Sequence, residues 1–277
     1  MDSDAEFEAI RKDIADGRLL EARAKISSMA ESADDPFLVI KCVSLQKAVG
    51  GDCSELIKKL GPLTGKDEGT DYQVASALLS LGYPGEAYRL VEEGDSDRFL
   101  SLSARCLLDL GDYKSALEAV DKMSAPSLQD MCLRSEALSY AGEHEAAVSE
   151  ASRLLSEHPS DYSVQVRYVS ALMSAGKRKE AVKHVRDGLK KKTADSNALA
   201  GYAMWVSGNV KSAGAYASRA VQMDPSHIGA METLGLCLAE TGDVPKARIV
   251  AGAINEISPG DKAVIKILSY CEMKEGL

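Results

Sequence analysis

Apolar and small residues recur along this chain at intervals of three and four positions, the spacing that brings them onto one face of an α-helix. Two such stripes follow each other between residues 224 and 259: Ile228, Met231, Leu234, Gly235 and Leu238, then Ala247, Val250, Ala251 and Ile254. Gly242 lies between the stripes, and glycine adopts the positive φ that ends a helix at little steric cost. The pattern predicts two helices joined by a turn, with Pro259 ending the second.

The same arrangement repeats along the chain. The recurring turn glycines, 29 to 34 residues apart, are Gly17, Gly51, Gly82, Gly111, Gly142, Gly176, Gly208 and Gly242. Five positions after the glycine, seven of the eight units carry an alanine, from Ala22 to Ala247, and the remaining unit carries Leu56. Small residues stand seven positions before six of the glycines: Ser44, Ala75, Ala104, Ser135, Gly201 and Gly235. Small side chains let helix axes approach, so each repeat is predicted to be a closely packed helical hairpin.

The periodicity predicts seventeen helices and no sheet, because valine and isoleucine do not cluster in alternating runs. The predicted helices span residues 4–16, 19–30, 36–49, 53–61, 70–81, 84–93, 97–110, 113–123, 127–141, 144–157, 161–175, 178–192, 195–207, 210–223, 227–241, 244–257 and 261–274. The least regular stretch, 61–69, is predicted to separate a weak N-terminal pair of hairpins from the rest.

The small residue, the glycine turn, the alanine and the proline together resemble the tetratricopeptide repeat (TPR), best over residues 194–227 and 228–261. The resemblance implies an all-α fold: an α-α superhelix, the TPR-like right-handed solenoid, of about eight helical hairpins plus a C-terminal capping helix. We expect a single solenoid over 1–277, with weaker hairpins over 1–67, TPR-like hairpins over 70–260 and the capping helix over 261–277. An irregular all-α bundle and other hairpin repeats (half-a-TPR, Sel1-like, pentatricopeptide) remain as alternatives.

The last predicted helix has no partner hairpin. Its apolar stripe consists of Ala263, Val264, Ile267, Leu268 and Cys271. Such a helix covers the open end of a solenoid and turns its polar residues, among them Lys262 and Lys266, to water. Ile265, Tyr270 and Met273 lie off the stripe, which leaves open a dimer formed through this end.

Composition limits the classes of partner and compartment. The 277 residues carry a net charge of −9, which disfavours whole-surface binding to nucleic acid or anionic lipid. The longest apolar runs fall short of a membrane span, and the N-terminus is acidic, unlike a targeting segment. Six cysteines show neither a CxxC pair nor metal-ligand spacing, which fits a reducing, cytoplasmic location.

Signals of catalysis are weak. Residues 61–66 look like a phosphate loop, but three residues instead of four separate Gly61 from Gly65, and Asp67 stands where Ser or Thr would hold magnesium. The four histidines have no ligand or nucleophile at a useful spacing. We therefore expect a protein that is not an enzyme and that has no metal and no cofactor.

The TPR resemblance also implies where a partner would bind, because the first helices of TPR hairpins line a concave groove that takes up peptides. Counted from the turn glycines, the predicted partner-binding residues are Tyr72, Arg105, Tyr140, Arg167, Tyr202 and Trp205. Tyrosine and tryptophan are rigid anchors at binding hot spots, and paired arginines suit an acidic peptide. For Trp205, the single tryptophan, the alternative is a core position between helices. No asparagine falls where TPR domains clamp chaperone tails, so no chaperone-tail binding is predicted.

A basic patch is predicted on helix 178–192 at Lys179, Lys183, Arg186, Lys190 and Lys191. The patch suits an acidic protein or nucleic acid, and added salt would weaken that binding. The alternative is that these cations only complement the dipole at the C-terminal end of the helix.

Together these features predict a non-enzymatic scaffold or adaptor that binds a protein or peptide partner in its concave groove. The alternative is an architectural subunit of a larger complex. This alternative draws on a resemblance to part of the coatomer epsilon subunit, itself a TPR solenoid, over residues 86–96, 107–110 and 119–123.

Overall fold

The computed structural model describes residues 3–276, which form helices and turns without any strand. Seventeen α-helices occur in that range, together with a short 3₁₀ helix at Gly61–Leu63. The helices are α1 Ser3–Ala15, α2 Leu19–Ser32, α3 Pro36–Ala48, α4 Ser54–Leu60, α5 Glu68–Ser80, α6 Pro84–Arg89, α7 Asp97–Leu110, α8 Tyr113–Asp121, α9 Leu128–Tyr140, α10 His144–Glu157, α11 Tyr162–Ser174, α12 Arg178–Leu189, α13 Ala194–Val206, α14 Val210–Met223, α15 Ile228–Glu240, α16 Val244–Ile257 and α17 Lys262–Glu275.

The all-helical prediction is confirmed, and most helix ends agree with it to within two residues. The exceptions are α6, which ends at Arg89 instead of residue 93, and α12, which ends at Leu189 instead of residue 192. At the end of α12, Lys192 has a φ of 55°, in the left-handed region, so the chain turns there. This turn sets up Thr193, whose side chain caps α13 in a reciprocal arrangement with Ser196.

The turn glycines end the first helix of most hairpins as predicted. Their φ values are positive, reaching 87° at Gly242, a conformation that a β-carbon makes costly. The second turn differs from the prediction, because the left-handed residue there is Gly50 (φ 65°) and not Gly51. The register shifts by one residue in consequence, so that Val43 is fully buried where Ser44 was expected and Ser44 is exposed.

Close helix contacts inside the hairpins follow from the small residues. The seven alanines of the repeat, from Ala22 to Ala247, are at most 1 % exposed. At Gly201 a β-carbon would meet the backbone nitrogen of Ala217 at 3.2 Å, so α13 and α14 cross almost backbone to backbone. In the α9–α10 hairpin the buried Ser135 hydroxyl donates to the carbonyl of Ala147 at 3.1 Å.

The chain divides into two compact units after Asp95. In the first, the α1–α2 hairpin packs Phe7, Ile10 and Ile26 into a core that also takes Cys42 from α3. The expectation of a single solenoid over 1–277 stays a prediction.

In the second unit the odd-numbered helices form one layer and the even-numbered helices the other. Helices α7, α9, α11, α13, α15 and α17 each pack beside the next along this row, and α8 to α16 pack against them. We call the odd-numbered set the inner row, because it lines the cavity described below. Of the helices described, none combines the length and apolarity needed to cross a bilayer.

Candidate functional site

A cavity of about 520 Å³ lies inside the second unit, within the size range typical of ligand sites. Its wall comes from all six helices of the inner row, with Tyr113 added from the first turn of α8. The cations on the wall are Arg105, Arg167, Lys262 and Lys266, and the carboxylates are Asp109, Glu136 and Glu232. The cavity thus has one cation more than it has carboxylates, in a chain whose net charge is −9.

Glu136 sits between the two arginines. Its Oε1 lies 3.1 Å from Nη1 of Arg167, and its Oε2 lies 3.9 Å from Nη1 of Arg105. Burial is the largest single influence and works to lower the pKa of Arg167, but Glu136 together with Tyr202, Cys132 and Tyr140 outweighs it, and the pKa is raised. The Arg105 contact is longer than a hydrogen bond, and the buried Nε of Arg167 has no hydrogen-bond partner, so both guanidinium groups retain unused donors.

The two lysines of α17 reach other carboxylates of the wall. Lys266 Nζ lies 2.5 Å from Oε1 of Glu232 on α15, and Lys262 Nζ lies 2.8 Å from Oδ2 of Asp109 on α7. Burial works to lower the pKa of Lys266, whereas Glu232 raises it, and the net shift is upward. For Lys262 burial and the charge of Arg105 lower the pKa despite Asp109.

Four tyrosines supply further donors. Tyr113 and Tyr140 stack with ring centroids 5.4 Å apart, and Tyr162 and Tyr202 line the same cavity. Desolvation raises the pKa of Tyr140 and of Tyr162 above the ordinary phenol value, and both hydroxyls are protonated donors at neutral pH. Within the described part of the chain, none of the four hydroxyls hydrogen-bonds to another residue. The cavity therefore presents free donors while its carboxylates are already paired, which suits a group rich in acceptor oxygens.

Four of the six residues predicted to bind a partner meet at this cavity, namely Arg105, Tyr140, Arg167 and Tyr202. Tyr72 lies on α5 of the first unit, half-buried, and does not line the cavity. Trp205 also lies outside the wall, where it packs against the hydrophobic cluster formed by α15, α16 and α17. Trp205 is half-buried there, and its role in partner binding stays a prediction.

The sequence reading missed Asp109, Tyr113, Tyr162, Lys262 and Lys266 as members of the site. The two lysines were expected to face water at the capped end, but they form ion pairs with carboxylates of the cavity wall. Their spacing of four residues, which places both on one helix face, was the available signal. Of the apolar residues discussed for a dimer, Met273 is exposed, whereas Ile265 and Tyr270 are half-buried.

The residues of the predicted basic patch lie away from the cavity. All five are exposed on α12 and the turn after it: Lys179, Lys183, Arg186, Lys190 and Lys191. Lys190 pairs with Asp187 at 2.7 Å. Within the described residues the other four have no ion pair, so a docking role for this patch stays a prediction.

Two protein families match parts of the chain. The tetratricopeptide repeat family matches residues 198–262, and the bacterial transcriptional activator domain matches residues 70–192. None of the curated proteins matches. Among solved structures, a tetratricopeptide repeat protein from Parabacteroides merdae shares 17 % identity and a TM-score of 0.51, over 85 % of this chain and 98 % of its own. Yeast Tom70 shares 14 % identity and a TM-score of 0.45, over 95 % of this chain and 60 % of its own.

The stacked hairpins define a helical-repeat protein, a class whose surfaces serve protein interaction in general. Within that class residues 198–262 match the tetratricopeptide repeat family, and the chain shares the fold of the Parabacteroides tetratricopeptide repeat protein.

Proposed function

We propose that the protein is a scaffold or adaptor whose inner cavity binds a segment of a partner protein bearing a carboxylate. The observation that carries the proposal is the imbalance on the cavity wall, where the carboxylates are paired and donors of Arg105, Arg167 and four tyrosines are not. Arginine binds carboxylates through charge-assisted hydrogen bonds, which are stronger than neutral ones.

The tyrosines support the same assignment. Tyr140 is 60 % exposed although it belongs to a stacked pair, so its ring is available to a partner side chain. Tyrosine contributes a large rigid surface together with a hydroxyl donor, and such residues are enriched at binding hot spots. A partner segment would place its apolar part against Tyr140 and Tyr202, and its carboxylate against the guanidinium donors of Arg105 and Arg167 that Glu136 leaves unused.

Buried cysteines support a reducing location for this activity. All six cysteines are unpaired and buried in the structure, as small apolar residues of helix contacts. Free thiols persist where disulfides are kept reduced, which is the condition of the cytoplasm. We include a cytoplasmic, non-catalytic role in the proposal.

Affinity capture from the source lysate tests the cavity. Wild-type protein is compared with Arg105→Gln/Arg167→Gln, which removes two cavity charges, and with Tyr140→Ala, which removes an exposed ring. The matched control is Lys183→Gln/Arg186→Gln on α12, which removes the same charge from the exposed basic patch. We expect a partner that is retained by wild type and by the control, and that is lost or reduced with both cavity variants.

Other outcomes decide against the proposal. A partner lost only in the α12 variant would move the binding site to the basic patch. Partners retained by every variant, in a protein that elutes with a large native complex, would favour the alternative of an architectural subunit. Circular dichroism of each variant separates loss of binding from loss of fold, and Tyr140→Ala changes no buried ion pair.

A further inference from the structure

The inner row of helices closes on itself at one ion pair. Lys262 is the first residue of α17, the last helix of the row, and Asp109 lies in the final turn of α7, the first helix. The two residues are 153 positions apart, yet Nζ of Lys262 lies 2.8 Å from Oδ2 of Asp109. Both residues also line the cavity, so the contact completes the wall around it.

On its other side α17 is held by several contacts. Lys274 Nζ lies 2.6 Å from Oε2 of Glu240 on α15, and Arg248 on α16 pairs with Glu275 at 2.7 Å. Ile267 is fully buried in the cluster shared with α15 and α16. This side of α17 is therefore part of the folded core of the unit.

The contact with α7 differs because no residue of α7 belongs to the hydrophobic cluster that anchors α17. The side chains of Lys262 and Asp109 are 45 % and 34 % exposed, so water and salt reach both. Ion pairs of this exposure contribute little to stability, and added salt weakens them. Closure at this point is thus far easier to break than the attachment of α17 to α15 and α16.

We propose that the Lys262–Asp109 ion pair is a latch that controls access to the inner cavity. With the pair formed, the row is closed and a partner segment enters only along the axis of the cavity. With the pair broken, α7 and α17 separate and the segment enters from the side. This inference rests on the proposed function, because the latch controls entry to the cavity that is proposed there to bind a partner.

The chemistry of the partner gives the latch a trigger. A carboxylate of the partner that approaches Lys262 competes with Asp109 for the same ammonium group. A ligand that binds the open form better than the closed form shifts the population toward the open form. Acidic segments would therefore open the cavity that they enter.

The test measures access to the cavity without any partner. A Ser170→Cys substitution places a thiol on the cavity wall, where Ser170 has no hydrogen bond to another described residue. Its modification rate is measured with N-ethylmaleimide and with a maleimide attached to a ten-residue peptide, and the six native cysteines supply the background. The ratio of peptide rate to small-reagent rate reports how freely a chain segment enters.

Charge reversal then opens and recloses the latch. In the Ser170→Cys background, Lys262→Asp and Asp109→Lys each place like charges opposite one another, and the double variant restores an opposite pair. We expect each single variant to raise the ratio by about 1.4-fold to fivefold, the range that an exposed ion pair supports. The double variant and the control Lys211→Asp, an exposed lysine of α14, should match the parent.

An unchanged ratio in the single variants, or one that the double variant does not restore, overturns the latch. Trp205 emission and circular dichroism confirm that α17 stays folded and docked in each variant, so a collapsed helix is not mistaken for an open latch. The two proposals fail separately. If the ratio of peptide rate to small-reagent rate changes with the charges at positions 109 and 262, but the protein captures no partner, only the binding proposal is wrong. If partner capture depends on Arg105 and Arg167, but the ratio does not change when the charges are reversed, only the latch proposal is wrong.

Discussion

Trp205 and Tyr270 pack edge to face, with ring centroids 5.8 Å apart and planes inclined at 71°. The first residue belongs to α13 and the second to α17, two helices that are not neighbours in the inner row. The phenol of Tyr270 in turn donates to the Glu240 carboxylate on α15. The single tryptophan of the chain therefore joins three helices at the C-terminal end of the second unit.

This arrangement predicts that Trp205→Ala acts on stability. Removing a large aromatic side chain that packs against a core cluster costs about 3 kcal/mol, somewhat less where the ring is half-buried. Urea unfolding followed by circular dichroism measures the change. Tyr140→Ala is the control, because an exposed ring should change the free energy of unfolding by less than about 1 kcal/mol. Equal stabilities of the two variants would contradict the structural role of Trp205.

Two helical glycines predict stability changes of opposite sign. A β-carbon at Gly201 would press on the backbone of α14, so Gly201→Ala should destabilise by about 1–3 kcal/mol through overpacking. At Gly252, an exposed position of α16, a β-carbon would meet nothing within 4 Å. Gly252→Ala should stabilise by about 0.5–1 kcal/mol, because alanine loses less backbone entropy in a helix than glycine.

Thermal unfolding of the two glycine variants beside wild type decides the matter, since both make the same chemical change. A melting temperature that Gly201→Ala leaves unchanged or raises would refute the close approach of α13 and α14.

The turn glycines show how much of the fold could be predicted from the sequence. Gly242 and Ala247 are five residues apart, and their spacing alone predicts the turn and the helix contact, because a hairpin depends on short-range order. Arg105, Tyr140, Arg167 and Tyr202 were found by counting along the same repeat. Asp109 and Lys262 belong to different hairpins, and their contact depends on the curvature accumulated over the row. The spacing of residues within one repeat does not predict that curvature.

Asp13 in the first unit predicts a pH dependence of stability. Hydrogen bonds from Lys25 and Arg18 lower the pKa of this carboxyl below its ordinary value. A carboxyl with a depressed folded-state pKa stabilises above its unfolded pKa of about 3.9, and the contribution is lost as pH falls through the folded value. Asp13→Asn should therefore lower the free energy of unfolding near neutral pH, and the difference from wild type should shrink below about pH 4.

Urea unfolding at several pH values measures this difference. The control is Asp34→Asn, an exposed carboxyl in the loop between α2 and α3. Asp34→Asn should match wild type throughout the range. A difference for Asp13→Asn that persists unchanged in acid would show that the ion pairs are not its source.

The buried thiols predict slow chemistry in the folded state. Burial raises the pKa of Cys42 and of Cys237 to about 11 and that of Cys106 to about 12. The thiolate is the reactive form, and at about pH 8 a thiol with a pKa near 11 is ionised to only about 0.1 %.

We therefore expect the native protein to react slowly with a disulfide reagent at these positions and the protein in concentrated urea to release the full signal of all six thiols at once. The Ser170→Cys variant is the comparison, because its added thiol lies on the cavity wall and should react first. Rapid labelling of Cys106 without urea would mean that α7 opens readily from its hairpin. The weak element of the second unit would then be α7 itself, instead of its contact with α17.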